Sequence, residues 1–148
     1  MSLDVIGSLF ALVAGVSFVF QQVVNSNLRV EIGSPWWAGF VSYLGGTIVM
    51  LAVALALREP FPSAAVVARS QALSWTGGLF GAIYIAISIL LLPRLGAATV
   101  IALIIAGQMI GSLTFDHFGL FELPIHHITA PRVAGALFLL VGAVLVRY

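Results

Sequence analysis

LDVIGSLFALVAGVSFVFQQVV, residues 3–24, carries one charged side chain, Asp4, and that at its edge. About 20 mostly apolar residues suffice for a helix to cross the hydrocarbon of a bilayer, so this run is long enough to span. Its apolar residues are continuous, which does not match the alternating pattern of a membrane β-barrel strand. Met1-Ser2-Leu3-Asp4 lacks the basic segment that opens a signal peptide, and the run is therefore expected to be retained as a span.

The composition of the whole chain agrees. It has 148 residues, of which 61% are hydrophobic and 7% charged, against roughly 25% charged in an ordinary soluble domain. Mean hydropathy is +1.17. So little polar surface cannot cover so much apolar side chain in water, and disorder is excluded for the same reason. Six arginines and five acids leave a net charge of +1, with no basic footprint for nucleic acid. The absence of cysteine excludes disulfides, thiolate catalysis and Cys-ligated metal.

Four breaks divide the chain. Residues 25–35 hold Arg29, Glu31, Gly33 and Pro35; residues 58–62 hold Arg58, Glu59, Pro60 and Pro62; Pro93-Arg94 makes a tight turn; residues 116–129 hold two acids, three histidines and Pro124. The expected architecture is all-α and integral to the membrane, one domain over residues 1–148. Its spans are expected at about 3–24, 36–57, 75–92, 96–115 and 131–146. The third and fourth are expected to form an antiparallel hairpin. Trp36, Trp37, Trp75 and Tyr148 stand at span ends, where interfacial aromatic anchors belong. Ser63 can cap a short amphipathic helix over 63–73.

Five spans put the termini on opposite sides. Arg58, Arg69 and Arg132 then fall on one side, and Arg29, Arg94 and Arg147 on the other. Orientation follows the Lys/Arg imbalance, and here there is none. Either weak local effects, such as Glu31 near Arg29, choose one orientation, or the chain inserts both ways. Insertion both ways would permit an antiparallel homodimer, an inverted repeat of the kind around which secondary transporters alternate access.

Helix faces narrow the reading further. Gly7, Ala11, Ala14, Gly15, Phe18, Gln21, Gln22 and Asn25 share one face of the first span. An unpaired amide in hydrocarbon costs several kcal/mol, so Gln21 and Gln22 must meet protein, cavity water or solute; Asn25 and Asn27 can instead cap the helix end. Tyr43 in the second span, Tyr84 and Ser88 in the third and Gln108 in the fourth are further candidates to line a solute path, or to serve as interhelical glue. Gly15, Gly46, Gly77, Gly81, Gly107 and Gly111 offer close helix contacts, and Gly135 and Gly142 form a small-residue seam in the fifth span that suits a dimer interface. No ionisable side chain lies at the middle of a span, which argues against a proton-exchanging carboxylate and points to a neutral, zwitterionic or aromatic solute. Asp116, His117, Glu122, His126 and His127 include metal-ligand types, but adjacent loop histidines are poor ligand spacing, and no metal or other cofactor is expected. No HExxH, GxSxG or Walker motif is present, so an enzyme is not expected.

Several pieces, in order and spacing, resemble the YdcZ-like family of short proteins in the drug/metabolite transporter superfamily. They are Gln21-Gln22-Val23-Val24-Asn25-Ser26-Asn27-Leu28-Arg29, Gly33-Ser34-Pro35, the stretch from Trp75 to Tyr84, Leu92-Pro93-Arg94-Leu95-Gly96-Ala97-Ala98, Gly107-Gln108 and Asp116-His117-Phe118-Gly119. The resemblance covers essentially the whole chain. It implies a bacterial inner-membrane protein, a half-transporter of a superfamily built on inverted repeats, whose members occur as dual-topology single genes, gene pairs and ten-span fusions. The better-known small multidrug resistance relatives have four spans and an essential carboxylate in the first; this chain has amides there, so proton-coupled multidrug export does not carry over. The expected activity is movement of a small organic solute by alternating access in a homodimer. A non-transporting scaffold or accessory subunit and a passive channel remain the alternatives.

Overall fold

A computed structural model describes residues 3–147, with the side chains of Leu3 and Glu122 left aside. Met1, Ser2 and Tyr148 lie outside the described residues, and with them the expected terminal anchor at Tyr148. The described residues are helix and connecting loop throughout: α1 (Leu3–Ile32), α2 (Pro35–Ala56), α3 (Ala64–Arg69), α4 (Gly77–Leu95), α5 (Ala97–Phe118) and α6 (Ala130–Leu145), with 3₁₀ turns at Ala72–Thr76 and Leu120–Glu122. By packing, the chain forms two compact units, one ending at Leu90 and the other beginning at Leu91.

The first helix does not stop where its apolar run does. It continues past Val24 to Ile32, 30 residues in all. Asn, Ser and Arg lower helix propensity by only a few tenths of a kcal/mol, and no Gly or Pro interrupts the segment before Gly33. Termination comes from Gly33, whose φ of 70° suits a residue without Cβ. Ser34 then caps α2, its Oγ accepting from the Trp37 N–H at 3.3 Å, with Pro35 in the first turn. Asp4 in the first turn of α1 and Arg29 in its last complement the helix dipole.

The helix break expected at Pro93-Arg94 falls at Gly96. Pro93 lies inside α4, which continues to Leu95. The N–H that Pro93 lacks would have met the Ile89 carbonyl, and a side-chain donor takes its place. Gly96, with φ 80°, ends the helix. Ser63 caps α3 as expected, accepting from the Val66 N–H at 3.4 Å. The helix it starts has only 6 residues before the chain turns into the 3₁₀ segment that leads to α4.

Four stretches are long and apolar enough to cross a membrane: Asp4–Ile32, Pro35–Ala56, Ala72–Leu95 and Ala97–Phe118. The fifth apolar helix, α6, has 16 residues, about 24 Å of axis against a hydrocarbon thickness of about 30 Å. In the first unit Ala38, Ile85 and Ile89 form a small core, with Leu28 and Tyr84 packed against it. Most large apolar side chains are exposed, as a lipid-facing surface requires.

In the second unit, α5 and α6 are joined by a folded-back loop. The Asp116 carboxylate pairs with Arg132, which also donates to the His126 carbonyl at 2.8 Å. The His126 N–H returns to the Asp116 carbonyl at 2.9 Å, and the Ile128 N–H donates to His117 Nδ1 at 3.2 Å. Gly119 makes the turn with φ 59°; a Cβ there would come within 2.7 Å of Ile125 Cγ1.

Candidate functional site

Gln21 and Gln22 are neighbours in sequence, and about 100° of helix rotation separates their side chains. They therefore reach different helices. Gln21 Nε2 donates to Ser42 Oγ on α2 at 3.2 Å, and Gln22 Nε2 donates to the Tyr84 hydroxyl on α4 at 3.0 Å. Asn25, one turn further along α1, donates to the same Ser42 Oγ at 3.1 Å. Phe18, one turn before Gln22, stacks on the Tyr84 ring with centroids 4.9 Å apart. Ser88 is wholly buried and donates back to the Tyr84 carbonyl at 2.9 Å. Asn25 thus does not cap a helix end: α1 runs through it, and its side chain is 4% exposed.

Gln22 is 1% exposed, and its Oε1 is buried without a hydrogen-bond partner among the described residues. Exchanging the ends of the amide would let Tyr84 donate to the oxygen and would strand the NH₂ in its place. In either arrangement one end of a buried amide lacks a partner, a condition that costs about 1–3 kcal/mol.

Two open clefts flank this cluster. One, of about 470 Å³, lies between α2 and α4 and is apolar, lined by Pro35, Trp36, Gly39, Phe40, Tyr43, Ala82, Ile83, Ile85 and Ala86. The other, of about 460 Å³, is lined by Gln21, Ser42, Tyr43, Gly46, Thr47 and Met50. Tyr43 lines both. Its hydroxyl sits so close to Gly81 that a Cβ there would collide with it. Gly81 therefore accommodates the Tyr43 ring. At Gly15, Gly46, Gly77, Gly107, Gly111, Gly135 and Gly142 an added Cβ would meet nothing within 4 Å among the described residues. Along α6 the residues buried against the unit are Ala136 and Ala143.

Gln21, Gln22, Tyr43, Tyr84 and Ser88 thus belong to the first unit, and Ser42 and Asn25 join them. Gln108 lies on α5, in the second unit, with its side chain exposed. Arg29, which the sequence reading used only for topology, is half-buried and donates from Nη1 to the Ile89 carbonyl at 2.8 Å. That carbonyl would meet the N–H of residue 93 in an uninterrupted helix, and residue 93 is proline. The spacing of Gln22, Asn25 and Arg29, three and seven residues apart, marks a single helical stripe, but it is hidden from a reading that ends the helix at Val24. Among the described residues no three His, Asp or Glu side chains gather as metal ligands, and Asp116 is taken by Arg132.

Comparison with known proteins places the chain among inner membrane proteins. The family described as "Putative inner membrane exporter, YdcZ" matches residues 6–145. The inner membrane protein YdcZ of Escherichia coli (strain K12) is 27% identical over 137 residues, covering 93% of this chain and 91% of that protein. No solved structure matches the chain.

Proposed function

We propose that this chain, which belongs to the YdcZ family and is a multi-pass protein of the bacterial inner membrane, moves a small organic solute across that membrane by alternating access. The family's description as an exporter supports a transporter-type role and outward movement. The observation that carries the reading is the buried Gln22 amide with one unpartnered end, in a cluster whose Gln21 and Ser42 line one of two clefts that share Tyr43. A scaffold held by interhelical glue has no use for an amide left half-satisfied, whereas a solute that comes and goes supplies the missing partner. Gln21, Gln22, Tyr43, Tyr84 and Ser88 are the proposed solute-contacting residues of one copy. Gln108 is proposed to line the path as well.

The assembly is proposed to be an antiparallel homodimer of five-span protomers inserted in both orientations. The balance of three arginines against three supports it, and α6 can complete a fifth crossing where the bilayer thins or where a second copy covers it. Glycines whose faces are open within one copy are available for contacts across the dimer.

A single cysteine appended after Tyr148 tests this, since the chain has none of its own. In whole cells a membrane-impermeant thiol reagent is expected to label part of the population and to reach completion only after permeabilisation. All-or-nothing labelling means one fixed orientation; the scaffold reading then leads, unless an oppositely oriented partner protein is present.

A further inference from the structure

Arg29 lies on the same stripe of α1 as Gln22 and Asn25, seven and four residues beyond them. It is half-buried, and one of its five N–H donors is committed to the Ile89 carbonyl. Its charge is not neutralised within the unit: the ion pair found among the described residues is Asp116–Arg132, and Glu31, two residues on, points about 200° away around the helix. Ile89, itself wholly buried, lies one turn beyond Ile85 and Ala86, which line the apolar cleft. Its side chain lies 3.9 Å from the position of a Cβ on Gly39, which also lines the cleft. Pro35 and Trp36, at the start of α2, line the same cleft.

We infer that Arg29 receives the carboxylate of an aromatic or otherwise apolar organic acid whose body occupies the α2–α4 cleft. This rests on the proposed transport function and names its substrate class. The committed N–H holds the guanidinium against the Ile89 carbonyl and leaves its remaining donors for a planar, bidentate acceptor. The apolar cleft takes the ring, so the charge stays at the end of the membrane-embedded site, consistent with the absence of an ionisable group at mid-span. A lipid phosphate offers similar anionic oxygens, and the experiment separates the two sources.

The purified protein in phosphatidylcholine nanodiscs is titrated with benzoate, phenylacetate and 3-phenylpropanoate, with the three matching amides, and with benzylamine and phenethylamine. Tryptophan fluorescence, with Trp36 in the cleft wall, and thermal stability are the readouts. Carboxylates are expected to bind at least tenfold more tightly than their amides, with amines weakest. Arg29→Gln is expected to abolish that preference, and Arg29→Lys to keep part of it while preserving the fold. Equal binding of acids and amides overturns the anion anchor and leaves the solute site standing. Failure of all eight compounds to bind overturns both. A carboxylate preference that survives Arg29→Gln, or that vanishes when phosphatidylglycerol replaces phosphatidylcholine, gives the guanidinium another role and overturns the inference.

Discussion

Gln22 uses its nitrogen and leaves its oxygen without a partner, and Tyr84 is the group that separates these two states. Removing the hydroxyl strands the whole amide. Tyr84→Phe is therefore expected to cost about 1–3 kcal/mol of stability, since a buried polar group then has no partner at all. The double variant Gln22→Met/Tyr84→Phe is expected to be more stable than Tyr84→Phe alone, because replacing both partners by apolar groups of similar shape is nearly neutral. Chemical denaturation in detergent, followed by circular dichroism, measures both. A double variant less stable than the single one would show that the amide has a partner of its own elsewhere. At this scale the candidate residues were legible as types: amides and hydroxyls inside apolar runs have to meet something. Their pairing was not. Nothing in the order Gln21-Gln22 says that the first reaches Ser42 and the second Tyr84.

Three helix ends in this protein are set by glycine at positive φ. Gly33 ends α1, Gly96 ends α4 and Gly119 ends α5. At the first and third breaks charge and proline proved weaker signals, whereas α2 does end just before Arg58-Glu59-Pro60. Polar residues lower helix propensity only slightly, and a proline near a helix end removes one hydrogen bond that can be replaced. Pro93 and Arg29 illustrate the replacement. Without the residue 93 N–H the Ile89 carbonyl is open, and Arg29 donates to it. Pro93→Ala restores an intrahelical donor that competes with the guanidinium. Arg29→Gln is thus expected to destabilise the wild-type protein more than it destabilises Pro93→Ala, with a coupling energy of about 0.5–1.5 kcal/mol in a double-mutant cycle. Strict additivity would mean that the two residues act independently. The arginine was legible in the sequence only as a charge to be counted, since its use depends on a helix that outlasts its apolar run.

For the whole molecule, the lipid-facing surface and the balance of arginines are the governing features. Large apolar side chains such as Phe10, Phe20, Met50, Phe80 and Phe138 are exposed, and only the bilayer or another copy can cover them. With three arginines on each proposed side, orientation is poised, and a small charge difference decides it. Two lysines inserted between Arg58 and Ser63 are expected to convert partial labelling of a C-terminal cysteine into a nearly uniform result, and two inserted beside Arg29 the opposite uniform result. Labelling that ignores both insertions would remove the charge-balance argument. Sequence alone determined that the chain is helical, belongs in a membrane, and places amides and hydroxyls where hydrocarbon forbids them to stand alone. Hydropathy and residue chemistry suffice for that, because they are properties of each segment by itself. Only the tertiary structure decided which helix each amide addresses, that α1 outruns its apolar stretch by a further two turns, that Tyr43 rests on Gly81, and that Arg29 serves α4. Those outcomes depend on the rotation and spacing of packed helices and on where a carbonyl is left open, quantities that no single stretch of sequence contains.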